Sequence, residues 1–200
     1  MDYNTTCAFT GHRPSKFSFG YDEEHPDCIR LKELMQQEII FLMEHGVTTF
    51  ISGVALGVDI WGAELVLAQK EKHPQIQLIA AIPCETQANK WSVEQRERYF
   101  DLLAQCDDTV YISNHYSPAC MFLRNRWMVD HAKYLLAVYN GEKKGGTAYT
   151  VDYARKRRCH VIQINPEKQT IIPNLVVLQG NEEMEKAPKL SGHNGKTSER

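Results

Sequence analysis

The chain has 200 residues, 42% of them hydrophobic, and a formal net charge of −2. That is enough apolar material for one globular domain with a buried core, and too little positive charge to draw nucleic acid or an anionic membrane to the surface as a whole. No run approaches the roughly 20 apolar residues of a membrane span, and Met1-Asp2-Tyr3-Asn4 has no basic stretch leading into an apolar one, so neither a membrane segment nor a signal peptide is expected.

Residues 6–10 read as a first strand. Residues 28–45 read as a helix, because Ile29, Leu31, Leu34, Met35, Ile39, Leu42 and Met43 recur at near-helical spacing, with Gly46 as its C-terminal glycine. A strand over 47–51 and a helix over 58–71 follow. The strand over 76–82 is a nearly unbroken apolar run, as suits a strand covered on both faces. A helix over 92–104, a strand over 109–112, a helix over 119–131, a strand over 134–139, a helix over 147–157 and a strand over 160–164 continue the alternation. This order predicts an α/β fold, a Rossmann-like and mostly parallel sheet with helices on both faces, as a single domain over residues 1–180. Residues 170–178 are a candidate edge strand. Residues 181–200 are polar and poor in large apolar groups, and disorder is expected there.

The six cysteines form no CxxC and match no zinc spacing. They read as reduced thiols of a cytoplasmic protein. The histidines are too scattered to argue for a metal, and GxxxxGK[ST] is absent. The cofactor, if any, is left unnamed by the sequence.

Three glycine-bearing loops follow strands, at the edge where open α/β sheets bind ligands. In the first, Gly11 turns the chain and His12 and Arg13 reach the mouth of a site, with Pro14 biasing Arg13 towards an extended conformation. Arginine is a planar fork suited to phosphate or carboxylate. In the second, Ser52, Gly53, Gly57 and Asp59 do not match GxGxxG. Asp59 has two readings, stabilising the first turn of its helix or accepting hydrogen bonds from a ribose. In the third, Gly145, Gly146 and Thr147 lie between a strand and a helix, so bare backbone N–H groups and the positive end of the helix dipole face an incoming anion. Thr147 is placed to cap that helix, and Lys143 and Lys144 add charge beside it. In the helix over 119–131, Arg124 and Arg126 point away from one another, so at most one faces the site easily, and Asn125 is a further ligand or loop-tying candidate. Trp91 reads as partial core. Three such loops together point to one composite phosphate or nucleotide site.

The motifs TGHRP (residues 10–14), SGVALGVD (52–59), RNRWMVD (124–130) and AVYNGEKKGGTAYTVDYA (137–154) together resemble the YpsA-like family of the SLOG superfamily, to which the Smf/DprA and LOG proteins belong. The resemblance spans about residues 6–164 and implies a Rossmann-like fold with a pocket for a nucleotide or nucleotide-derived ligand. The second loop is similar to the SGxAxGxD loop of DprA-like proteins, and Gly145-Gly146-Thr147 to the end of the PGGxGTxxE motif of LOG phosphoribohydrolases. No proline precedes Gly145, and the position of the LOG catalytic glutamate holds Thr150.

The leading expectation is therefore a protein that binds or senses a nucleotide-like small molecule. One alternative is a LOG-like N-glycosidic hydrolase, with Asp59, Glu85, Asp130 or Asp152 as its carboxylate. The other is a DprA-like single-strand DNA binder, which the charge balance disfavours. The oligomeric state is open, a homo-oligomer included.

Overall fold

The computed structural model describes residues 1–172. Six strands run parallel: β1 (Thr6–Gly11), β2 (Thr49–Ser52), β3 (Gln77–Ile82), β4 (Asp108–Tyr111), β5 (Tyr134–Val138) and β6 (His160–Asn165). A short β7 (Thr170–Ile172) adds antiparallel to β6. It is the start of the expected edge strand; the remainder of that strand and the expected tail lie outside the described residues. The helices are α1 (Pro26–Glu44), α2 (Val58–Lys70), α3 (Val93–Gln105), α4 (Cys120–Asp130) and α5 (Gly146–Lys156). Every strand and helix expected within residues 6–164 is present, with ends displaced by one or two residues. Two single-turn 3-10 segments, Tyr3–Thr5 and Pro14–Lys16, have no periodicity to announce them.

The strand order β4-β3-β2-β1-β5-β6-β7 is set by the direction of the crossovers. Successive right-handed connections carry the chain one way from β1 to β4, and the next strand returns to the other side of β1. The order reverses between β1 and β5. At such a point neighbouring connections leave in opposite directions, and a crevice opens beyond the carboxyl ends of the two strands.

Side chains alternate between two cores, as the period of a strand requires. Phe9, Phe50, Leu78, Ala80, Leu136 and Ile162 point to one face, where α1, α2 and α3 cover them with Leu31, Met35, Ile39, Trp61 and Leu102. Ala8, Ile51, Ile79, Leu135 and Ala137 point to the other, under Met128 and Val129 of α4 and Val151 and Ala154 of α5. Gly62 of α2 lies against the ring of Phe9, where an added Cβ would come within 3.0 Å. Close approach of this helix to β1 therefore depends on the missing side chain.

The long connection from β1 to α1 carries Arg13 and is tied down in two ways. Phe17 stacks on Phe19 at 4.9 Å, and both rings lie against Trp61. Beyond them Glu23 accepts hydrogen bonds from Arg98 of α3, at 2.6 and 3.0 Å, and from Lys32 at 2.6 Å, while Arg98 also holds Glu64 of α2. Burial pushes the Glu23 carboxyl up, but the hydrogen bonds of Arg98 and Lys32 outweigh it and hold the group at about 2, against an ordinary 4.5. A depressed carboxylate contributes stability that is complete above its unfolded value and is lost as pH falls towards the folded one. Acid should therefore destabilise the fold between about pH 4.5 and 2 through this group, by roughly 1–2 kcal/mol after allowance for solvent screening. Glu23→Gln should flatten that part of a stability–pH curve measured by urea unfolding; an unchanged slope would assign the acid sensitivity elsewhere.

Candidate functional site

A cleft of about 420 Å³ occupies the crevice at the switch point between β1 and β5. Its walls are the loop after β1, the loop before α2, one side of α4 and the N-terminus of α5. Nine residues expected at a site meet here: Gly11, His12, Arg13, Asp59, Arg124, Asn125, Gly145, Gly146 and Thr147. Lys16, Glu142, Lys144, Met121 and Leu56 line it as well. Ser52, Gly53 and Gly57 do not line it and stand behind the wall.

The α5 end of the cleft is built from backbone. Gly145 is the N-cap at φ 100°, a left-handed conformation that strains any residue with a Cβ. No side chain caps the helix. The expectation that Thr147 caps it is corrected: its hydroxyl donates to the Gly11 carbonyl at 2.9 Å, because α5 starts beside the end of β1, and so stitches the first and third glycine loops together. Nothing lies within 4 Å of a Cβ added to Gly145 or Gly146, so the space before the first turn is open. The N–H groups of a first helical turn have no partner within the helix, and the dipole puts partial positive charge there. Arg13, Lys16 and Lys144 add three cations to the walls. Arg13 is extended, at φ −70° and ψ 154°, as Pro14 requires of the residue before it.

The floor is polar and buried. Arg124 of α4 is 5% exposed and Asp59 of α2 is 8% exposed, with Nη1 3.6 Å from Oδ2. Arg124 Nη1 also donates to the Ala81 carbonyl at 3.4 Å, and its Nε to Asn125 Oδ1 at 2.8 Å. Asn125 Nδ2 donates to Thr150 Oγ1, and Thr150 Oγ1 donates to the Gly146 carbonyl, each at 2.8 Å. One hydrogen-bonded line thus joins the start of α2, α4 and the first turn of α5. Burial pushes the Asp59 carboxyl up, against the pull of the Arg124 and Arg13 guanidiniums, and burial also lowers Arg124. We take Arg124 as charged throughout, since guanidinium does not deprotonate in proteins. Arg126 lies outside, over the Tyr153 ring at 5.1 Å, so only one of the two arginines faces the cleft, as expected from their spacing.

The second glycine loop makes room for this pair. A Cβ on Gly53 would fall 1.5 Å from Arg124 Nη1 and 2.5 Å from Asp59 Oδ2. Ser52 is fully buried; its hydroxyl donates to the Asp59 carbonyl at 2.7 Å and accepts from the Val54 N–H at 3.0 Å. Gly57 sits at φ 91° against Pro14 and the His12 carbonyl. Gly11 also serves packing, since a Cβ there would meet Val58 at 2.5 Å. His12 is 9% exposed, and its Nε2 lies 3.1 Å from Asn140 Oδ1, which joins the loops after β1 and β5.

Among the other carboxylate candidates, Asp130 is held by the Tyr153 hydroxyl and Arg157, and Asp152 is exposed on α5 beside Arg155. Neither lines the cleft, and nor does Glu85. Trp91 packs on the core, edge to face with Tyr99 at 5.4 Å. Lys16 and Glu142 are the wall residues that sequence reasoning missed. Both are exposed loop residues with no periodicity; their nearness to Arg13 and the glycine pair is the one available signal. Among the described residues, no group of three or more His, Cys, Asp or Glu is gathered to hold a metal, and no helix is long and apolar enough to cross a membrane.

Removing Arg124 should leave a buried carboxylate without its counter-charge. Arg124→Leu is expected to cost about 3 kcal/mol at pH 7, the usual scale for breaking a buried pair. The penalty should shrink as pH falls, because Asp59, with a folded pKa above its unfolded one, then takes up a proton. Urea unfolding at pH 7 and pH 5 checks this; an equal loss at both would mean that Arg124 contributes through packing alone.

The sequence profile of the YspA SLOG family (YpsA) matches residues 7–168. A UPF0398 protein of Halalkalibacterium halodurans is 31% identical over 151 residues, covering 74% of this chain and 79% of the relative. A UPF0398 protein of Bacillus cereus is 30% identical over 152 residues, covering 75% and 82%. Among solved structures, DNA processing protein A from Helicobacter pylori, described for its single-stranded DNA binding mode, superposes with a TM-score of 0.55 at 14% identity, over 92% of this chain and 74% of its own. That likeness is one of fold. Profile, relatives and fold agree with the four motifs in order along the chain: the protein belongs to the YpsA (YspA) family of SLOG proteins.

Proposed function

We propose that the protein binds or senses a nucleotide or nucleotide-derived ligand, with a phosphate of that ligand on the N-terminal turn of α5. The observation that carries the reading is the open space in front of Gly145 and Gly146, at the switch point of the sheet, with Arg13, Lys16 and Lys144 around it. A helix start with uncapped donors, a glycine pair and nearby cations has the chemistry of an anion site. The cleft falls within the 300–1,000 Å³ that small-molecule sites span. Membership of the SLOG family and the fold shared with DNA processing protein A support a nucleotide-binding fold.

The same geometry supports holding over hydrolysis. Thr150, at the position of the LOG glutamate, is 3% exposed and engaged by Asn125 and Gly146. Asp59 is the buried carboxylate of the cleft, and it faces a guanidinium. Cleaving an N-glycosidic bond needs a group free to stabilise charge on the ribose and to activate water.

Two substitutions test the binding reading. Gly146→Val fits the free protein, whose backbone there needs no positive φ, and should abolish nucleotide binding by filling the anion's place. Arg13→Ala should weaken a nucleoside monophosphate about tenfold and leave its nucleoside unchanged, since only the former offers a partner to the fork. Calorimetric titration decides both; unchanged affinity in folded Gly146→Val protein would remove this turn from the site. Chromatography after incubation with adenosine or cytidine monophosphate should detect no free base. Turnover abolished by Asp59→Asn would establish an enzyme instead.

A further inference from the structure

A second cavity, of about 320 Å³, adjoins the cleft across the loop after β1, and His12 and Lys16 line both. Two contacts lie at their border, His12 Nε2 to Asn140 Oδ1 at 3.1 Å and Lys16 to Glu142. Lys16 Nζ stands 3.9 Å from Glu142 Oε2, with the two side chains 61% and 49% exposed, a separation and exposure at which an ion pair contributes little. An anion on α5 would compete with Glu142 for Lys16 and open the way between them.

The two compartments differ in charge. The first holds Arg13, Lys16, Arg124 and Lys144 against Asp59 and Glu142. The second shares His12 and Lys16 with the first and adds the carboxylates of Asp27 and Glu167, the amides of Asn140 and Gln169 and the aromatic wall of Phe17 and Phe19. Gln169 Nε2 donates to Asp27 Oδ1 at 2.8 Å, with His25 Nδ1 3.7 Å from Asp27 Oδ2, and Asn140 Nδ2 donates to Glu167 at 2.9 Å. Carboxylates partnered by neutral donors keep acceptor capacity, since each has about four lone-pair sites. Such a compartment, with two carboxylates and stacked aromatic rings beyond the shared Lys16, accepts a group rich in hydroxyl or amine donors with an apolar face.

We propose that this cavity is the nucleoside subsite of the ligand whose phosphate lies on α5, with Asp27 and Glu167 accepting hydrogen bonds from its ribose hydroxyls or base amine. The proposal rests on the phosphate reading above and goes beyond it. It makes the ligand bipolar, an anion at one end and a donor-rich ring system at the other, so that neither end alone binds well.

The test compares two probes that share a diphosphate, ADP and inorganic pyrophosphate, titrated calorimetrically into the full chain. The unaltered protein should bind ADP more tightly than pyrophosphate. Glu167→Gln and Asp27→Asn remove a carboxylate from exposed positions, and Ser18→Trp, also exposed and lining the cavity, fills it. Each should weaken ADP about tenfold, the scale of a lost charge-assisted hydrogen bond or of displaced ligand, and leave pyrophosphate within about twofold. Melting temperatures confirm that each variant is folded. ADP no tighter than pyrophosphate in the unaltered protein, or ADP affinity untouched by all three folded variants, overturns the subsite and leaves the phosphate site standing. Equal losses for both probes also overturn it, by showing that these residues shape the loops instead. Failure to bind either probe overturns the phosphate reading and this one with it.

Discussion

Burying the Arg124 guanidinium under the carboxyl edge of the sheet is the constraint from which the rest of the site follows. A charge taken out of water at that depth needs partners on several sides. Here they come from three elements: Asp59 at the start of α2, the Ala81 carbonyl at the end of β3, and Asn125 one residue on in α4. A planar fork with five donors can satisfy all three at once, and a lysine ammonium in its place could not keep the same directions. The pair also dictates its surroundings. Gly53 has no side chain because the guanidinium and the carboxylate occupy that space, and Gln87 Nε2 donates to the Gly53 and Val54 carbonyls to hold the loop in position.

The floor so formed reaches the anion site without touching its mouth. Asn125 passes the orientation of Arg124 to Thr150, and Thr150 grips the Gly146 carbonyl. Thr147 fixes the same turn to β1 from the other side. The first turn of α5 is therefore held by two hydroxyls on its inner side, while its N–H groups face the cleft. A backbone site gains its selectivity for anions from being set before the ligand arrives, since donors already in place pay no ordering entropy on binding. Opposite, the loop after β1 is held by Phe17 and Phe19 against Trp61 and by the Glu23–Arg98 contacts. Arg13 and Lys16 thus project as long side chains from a fixed base.

Much of this was legible in the sequence, for reasons that differ between residues. Helices and strands were readable because burial on two faces imposes periodicity, and the glycine pair 145–146 because a strand, two glycines and a helix is a local arrangement. The location of Gly11, Arg13 and Asp59 followed from the rule that ligands sit beyond the strand ends, whereas helix spacing left open which of Arg124 and Arg126 would face the site. The reasons for two of the glycines did not. Gly11 read as a tight turn and Gly53 as part of a composite phosphate site, yet they are small because Val58 and the Arg124–Asp59 pair come close. That is a long-range fact which no local pattern carries. Thr147 was misassigned as a cap for the same reason: a hydroxyl at a helix start has a local use, and its true partner lies in β1. Lys16 and Glu142 had no periodic signal, because exposed loop residues are free of that constraint.

Position 150 marks where this chain departs from the LOG motif that it resembles. A carboxylate there would meet Asn125, which already gives its oxygen to Arg124 and its amide hydrogens to Thr150. It would also add a second negative charge to the line that runs through Asn125 and Arg124 to Asp59. Two carboxylates sharing a site push one another's pKa values apart, which is how a general acid or base is tuned. With a neutral hydroxyl at 150 that coupling is absent, Asp59 is left to balance Arg124, and the buried line of hydrogen bonds has a donor for each acceptor along it. The polar floor then serves to rigidify the first turn of α5, and in the proposed binding role the positions on which specificity depends lie outward, at the exposed walls that carry Arg13 and Lys16.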